Sequence, residues 1–86
     1  MRCTRDNTLD LRGERVDDGL SRVDRFLDES MLSVRDVVFI IHGHGTGALR
    51  SAVRERIKLH PAVERWRGGT LQEGGDGITV LWLDVL

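Results

Sequence analysis

Cysteine is nearly absent from this 86-residue chain, with Cys3 the single one. That excludes an internal disulfide and a cysteine-based metal cluster, and it makes a reducing compartment the default. Long apolar runs are missing too. No stretch approaches the roughly 18 apolar residues of a membrane span, and Met1 to Asn7 holds no apolar run that could act as a signal-peptide core. A cytoplasmic location without a membrane partner is therefore expected. Net charge is also scarce: 13 Lys and Arg stand against 14 Asp and Glu, a formal charge of -1, which argues against a histone-like polycation or a generic membrane-surface binder. Nor is there room for a second core, since a chain this small buries only about 60 to 65% of its unfolded surface. Residues 1–7 are expected to form a flexible tail and residues 8–86 one domain, and the length suits either a small gene product or a piece excised from a longer chain.

Charge is segregated along the chain. Between residues 42 and 67, Arg50, Arg54, Arg56, Lys58, Arg65 and Arg67 are opposed only by Glu55 and Glu64, and all three histidines, His42, His44 and His60, fall in the same block. A basic segment hidden in a neutral total suggests a phosphate-bearing partner. A solvated helix face would produce the same cluster, so charge alone does not carry a function.

Residue periodicity predicts four strands and two helices in the order β-α-β-α-β-β. Thr8 to Leu11 reads as a short strand ending at Arg12-Gly13. From Val16 onward, Val16, Leu20, Val23, Leu27 and Met31 recur at three and four and define an amphipathic helix weakened by Gly19. Val37 to Ile41 is an uncharged β-branched and aromatic run, as expected for a central strand covered on both faces. A second helix is predicted from Gly47 to Leu59, with Thr46 as N-cap, Leu49, Ala52, Val53 and Ile57 facing the core, His60 capping the last carbonyls and Pro61 closing it. Val63 to Arg67 is a strand that places Val63 and Trp66 on different faces or bends at a bulge; a glycine-rich loop follows, and Ile78 to Leu83 is the last strand. The strand-helix-strand units imply parallel pairing, and the final pair implies an antiparallel hairpin. The expected architecture is an α/β two-layer sandwich, with both helices on one face of a mixed four-stranded sheet, whose far face is too apolar to be left in water.

Two segments could carry chemistry. In Ile41-His42-Gly43-His44-Gly45-Thr46-Gly47, alternate glycines let the backbone curl and present N–H donors at a helix start, a geometry that binds phosphate. A glycine-rich turn that merely starts the helix has the same pattern. Gly43-x-Gly45-x-x-Ala48, with Glu64 further on, also satisfies a loose dinucleotide fingerprint, but 86 residues cannot supply the second half-fold such a ligand needs. A mononucleotide on this loop ranks last among the functions. Two histidines without a cysteine make a weak metal site. The other segment is Leu9-Asp10-Leu11-Arg12-Gly13, in which Asp10 and Arg12 share one strand face. Such a pair is commonly a surface ion pair. If the first two strands run side by side, both segments lie at strand C-terminal ends and converge. The resulting inventory suits phosphodiester cleavage, with Arg12 on the transition-state charge, Asp10 or His42 as base and His44 as acid. Leu11, Gly13, Gly43, Gly45, Thr46, Gly47, Arg50, Arg54 and Lys58 are the expected phosphate and nucleic-acid contacts.

At these residues the chain resembles the small MutS-related (Smr) domain, most closely the version at the C-terminus of a bacterial MutS paralogue without a mismatch-repair role. The likeness runs from about residue 8 to 83. It rests on Leu9 to Gly13 with Arg15-Val16, on His42-Gly43-x-Gly45-Thr46-Gly47-Ala48-Leu49-Arg50, on His60-Pro61-x-Val63, and on Glu73-Gly74-Gly75-x-Gly77-Ile78-Thr79-Val80. The resemblance implies a fold like the C-terminal domain of translation initiation factor three, and nuclease activity on DNA or RNA, usually nicking of branched or flexible DNA. Much of the family has histidine where this chain has Arg12, so no histidine base is assigned there; where the family often has lysine, this chain has His44, whose charge depends on pH. A binding module that docks DNA, RNA or a ribosome for the ATPase domains of a parent chain is the alternative. RNA carries its own 2′-hydroxyl nucleophile and needs no metal, whereas DNA nicking needs an activated water and commonly Mg or Mn. Asp10 is the carboxylate at hand for such an ion, joined by Glu73 or Asp76 if the late loop folds over.

Overall fold

The computed structural model describes residues 6–85. Cys3 and most of the expected tail lie outside the described residues. Within that segment, Asn7 is buried and its carbonyl accepts the Phe39 N–H at 2.8 Å, so the sheet's bonding already begins there.

Strand β1 (Thr8–Asp10), helix α1 (Val16–Leu32) and strand β2 (Val37–Ile41) form a parallel unit in which Thr8 faces Phe39 and Asp10 faces Ile41. Helix α2 (Ala48–Lys58) leads to β3 (Val63–Gly68); two short 3-10 turns, Leu71–Glu73 and Gly75–Gly77, then precede β4 (Ile78–Leu83). The sheet order is β1-β2-β4-β3, with β4 antiparallel to both neighbours. The expected hairpin of β3 and β4 is present. Parallel pairing across α2 is not, because β4 inserts between β2 and β3. Burial explains the insertion: β2 and β4 are the two uncharged strands and take the two central positions, while β3, with Glu64, Arg65 and Arg67, takes the edge.

Both helices cover one face. There Leu9, Leu11, Val38, Ile40, Leu81 and Leu83 meet Val23, Phe26 and Leu27 of α1 and Val53 and Ile57 of α2. Burying each such side chain fully contributes about 1.5 to 3 kcal/mol. Gly19 is more than the local weakness expected of it: a Cβ there would come within 3.0 Å of Leu49 Cδ1, so its absence lets α2 approach α1. In β3 the register shifts between Val63 and Arg65, and this bulge turns both Val63 and Trp66 toward the helix-side core. On the far face, Phe39, Ile78 and Val80 form a second small cluster bordered by Val37, Ile41 and Trp82. Arg65 and Arg67 lie over Trp82, 4.2 and 5.4 Å from the ring centroid, and an Arg67–Glu73 ion pair of 2.7 Å closes the loop beside it.

Helix α2 starts one residue later than expected. Gly47, with φ of 86°, is its N-cap, and the Thr46 hydroxyl instead accepts the Ala48 N–H at 3.3 Å. A left-handed residue before the helix excludes Thr46 from the capping geometry and suits glycine. At the other end, His60 does not cap carbonyls; its Nδ1 accepts the Ala62 N–H at 3.1 Å and holds the turn into β3.

Helix α1 ends with Val34 N–H donating to the Met31 carbonyl at 3.1 Å and Arg35 N–H to the Ser30 carbonyl at 2.9 Å, a pair of bonds that requires Val34 to sit at φ of 55°. That conformation is strained for a β-branched residue. Val34→Gly should stabilise the domain by about 1 kcal/mol, raising Tm by roughly 4 to 8 °C in a thermal melt.

Candidate functional site

The His42 to Gly47 loop leaves β2 beside the end of β1, so the two polar segments converge at the C-terminal ends of the parallel strands. Gly43, Gly45 and Gly47 all have positive φ. The loop is anchored by one acceptor: the Gly77 carbonyl takes the N–H groups of His42 at 3.1 Å and Gly43 at 2.9 Å. The Gly47 N–H returns to the His44 carbonyl at 3.1 Å. Among the described residues, the N–H groups of His44, Gly45 and Thr46 have no hydrogen-bond partner.

The expected site residues divide between the two faces of the sheet. His42 points to the helix side and is buried. Its Nδ1 is 3.1 Å from the Gly43 carbonyl, which can only accept, so Nδ1 carries the proton and Nε2 accepts the Thr79 hydroxyl at 2.8 Å. The same Thr79 oxygen accepts Arg54 Nε–H at 3.0 Å. Burial is the largest influence on His42 and holds its pKa below the ordinary value, with the nearby charges of Arg54 and Arg50 acting in the same direction. Both ring nitrogens of this neutral imidazole are engaged. His42 therefore holds the loop in shape and, contrary to expectation, offers no free nitrogen as a base.

Asp10, Arg12 and His44 lie on the opposite side. The Arg12 guanidinium grips the Asp10 carboxylate through Nε–H at 3.0 Å and Nη2 at 2.7 Å, while the Arg12 backbone N–H donates to the same carboxylate at 3.0 Å. These bonds draw the Asp10 pKa below the usual carboxylate range, the side-chain bond being the largest cause. The Arg12 side chain passes along Gly43, and the His44 ring lies against Gly77. Arg12, Gly43, His44, Glu73 and Ile78 line one hollow of about 270 Å³. The His44 residue is exposed and its ring has no hydrogen-bond partner among the described residues.

The remaining expected contacts fare differently. Leu11 is fully buried, its N–H donating to Ile41 and its carbonyl accepting from Glu14, so it belongs to the core and not to a binding surface. Gly13, at φ of 83°, only turns the chain. Arg50 and Arg54 flank Asp76 at 2.8 and 3.0 Å, which depresses the Asp76 pKa chiefly through the Arg54 bond. Lys58 pairs with Glu55 at 3.3 Å and sits at the far end of α2, about 15 Å of helix rise from the loop. The basic helix is thus largely compensated. Sequence reasoning overlooked Arg15, which is exposed, lacks an ion-pair partner among the described residues, and borders a second hollow of about 290 Å³ with Glu14 and the glycine loop. Thr79 was also overlooked, although a lone hydroxyl inside the apolar run Ile78 to Leu83 was a signal of it.

Together these features define a two-layer α/β domain with a polar site at the ends of two parallel strands. The Smr domain model matches residues 9–84, and the chain belongs to the Smr domain family. It is 52% identical over 73 residues to Endonuclease MutS2 of Listeria welshimeri, covering 85% of this chain and 9% of that protein. It is 49% identical over 72 residues to Endonuclease MutS2 of Staphylococcus epidermidis, covering 84% and 9%. The chain therefore spans a small fraction of the length of the curated relatives it matches. Among solved structures it is similar to the Smr domain of Thermus thermophilus MutS2, with a TM-score of 0.89 and 38% identity over 91% of this chain and 98% of that one. It also shares the fold of YdaL, a stand-alone small MutS-related protein from Escherichia coli, with a TM-score of 0.90 at 22% identity over 95% and 67%. No helix among the described residues is long and apolar enough to cross a membrane.

Two measurements check this geometry. Thr79→Val removes the hydroxyl shared by His42 and Arg54 at nearly constant volume and should cost about 1 to 3 kcal/mol in denaturant unfolding, because it orphans buried donors and acceptors. Arg67 and the Thr70 N–H hold the Glu73 pKa at about 2. A carboxylate depressed in the folded state stabilises above its unfolded pKa and loses that contribution as pH falls toward the folded value. The difference in Tm between wild type and Glu73→Gln should accordingly be full above pH 4.5 and vanish on acidification toward about 2.

Proposed function

We propose that this domain is an endonuclease that nicks one strand of branched or flexible DNA. The observation that carries the reading is the meeting of Arg12, which holds Asp10, with the unbonded His44 ring at one hollow, on a loop whose His44, Gly45 and Thr46 N–H groups are unbonded among the described residues. The endonuclease names of the MutS2 relatives support it. A phosphate entering the hollow competes with Asp10 for the Arg12 fork, which suits phosphate bidentately. Arg12 and the loop N–H groups then stabilise the charge on the pentacovalent phosphorus. Asp10, released from the guanidinium that depresses its pKa, takes a proton from water as the water oxygen bonds to phosphorus. The opposite P–O bond breaks, and protonated His44 delivers a proton to the leaving oxygen. His42 and Thr79 hold the loop.

The donors do not fit a protein-held Mg or Mn. Glu73 and Asp76 are each bound to arginine, and among the described residues no three His, Cys, Asp or Glu side chains converge as metal ligands.

One observation favours the second reading, a module that docks DNA, RNA or a ribosome for the ATPase domains of a parent chain: in the free domain the proposed base is locked in an ion pair and held acidic. Conversion of supercoiled plasmid to open circles separates the two. Arg12→Ala and Asp10→Asn should each lower nicking about 100-fold or more with Tm maintained. Equal nicking by wild type and both variants would assign the cutting to a contaminant, and salt-sensitive binding without turnover would assign the domain to docking.

A further inference from the structure

The proposed chemistry uses the loop end of the sheet's far face and leaves the rest of that face unexplained. Four residues along β4 from Ile78, about 13 Å away, Trp82 lies half-buried on the same face, beside Val37 and Arg65. Its ring adjoins a shallow hollow of about 90 Å³ floored by Phe39 and Val80. Two guanidinium groups lie over the ring, and of these Arg65 is exposed and has no carboxylate or other hydrogen-bond partner among the described residues. Two carboxylates beside the hollows of this face, Asp10 and Glu73, are each already paired with their own arginine, Arg12 and Arg67. An apolar floor, one half-buried indole and an uncommitted cation therefore extend from the hollow lined by Arg12 and His44.

We infer that this face binds the unpaired DNA strand next to the nicking site, with a base stacked on Trp82 and the adjoining phosphate on Arg65. The inference rests on the nuclease reading above and names the form of substrate that site takes. The magnitudes allow it. An exposed cation–π contact is worth about 0.5 to 1 kcal/mol, whereas a base stacked on an aromatic side chain contributes about 1 to 3 kcal/mol. Moving Arg65 off the ring to a phosphate and placing a base in its stead is favourable on both counts. Duplex DNA does not fit, because its bases already stack on one another and offer no free π-face to a flat sheet. An acidic peptide would satisfy Arg65 but has no planar group for the indole. Stacking is indifferent to base identity, so the face reads strandedness and not sequence.

The test uses the only two tryptophans, Trp66 and Trp82. In Trp66→Phe, titration with single-stranded oligo-dT should quench the fluorescence of Trp82 with saturation, while a duplex of the same length or polyglutamate should not. Arg65→Glu, an exposed change that leaves the core intact, should weaken oligo-dT binding at least tenfold, and Trp82→Leu should do the same with its fold confirmed by a thermal melt. Equal quenching by duplex or polyglutamate, or unchanged oligo-dT affinity in Arg65→Glu, would overturn the inference. The two proposals fail separately. Nicking by wild type without Trp82 quenching removes this surface and keeps the nuclease; quenching without nicking removes the nuclease and keeps the surface.

Discussion

A single hydroxyl joins the parts of this domain that matter for its site. Thr79 Oγ1, fully buried on the central strand β4, donates to His42 of the glycine loop and accepts from Arg54 of α2. One residue-pair away, the Gly77 carbonyl receives both N–H groups at the start of the loop. Strand, loop and helix are thereby fixed relative to one another with no buried side-chain polar atom left unsatisfied among the described residues. In a low-dielectric interior each of these bonds is stronger than in water, and loss of any member is costly. Loop shape is then set from beneath, which leaves the opposite side of the loop free to meet a ligand.

Charge is organised by the same return of the late loop. Asp76 lies between Arg50 and Arg54, and Glu73 holds Arg67, so the basic block visible along the chain becomes a set of local pairs in three dimensions. The cations left without a carboxylate around the two sides of the loop end and the far face are Arg15 and Arg65 among the described residues. Attraction of a polyanion would come from a few such groups together with arginines that exchange one anionic partner for another. Near-zero net charge is compatible with that, because exchange of partners does not require an excess of cations.

What the sequence revealed depended on range. Helical spacing at Val23 and Leu27, the uncharged runs of β2 and β4, and the convergence of the Asp10 and His42 segments follow from local pattern or from adjacent parallel strands, and all appear in the structure. Thr46 as a cap failed locally, because the left-handed turn at Gly47 shifts the helix start. The insertion of β4, the engagement of both His42 nitrogens and the pairing of Arg50 and Arg54 were illegible. Each depends on partners some twenty to forty residues distant, such as His42 with Thr79, for which no local periodicity exists. Leu11 was misassigned because motif membership was taken for site membership, although strand alternation places Leu9 and Leu11 together on the core side.

The insertion of β4 has a consequence for the order in which the domain can be made. Residues 78–83 supply the neighbour of both β2 and β3, so until that stretch has been synthesised β3 has no partner and the loop after β2 has no Gly77 carbonyl or Thr79 hydroxyl to hold it. The β1-α1-β2 unit can pair early through short-range contacts, whereas the rest must close a long segment before its contacts form. The polar site is thus assembled last, and a chain interrupted before β4 would carry the motif residues without the geometry that lets them act together.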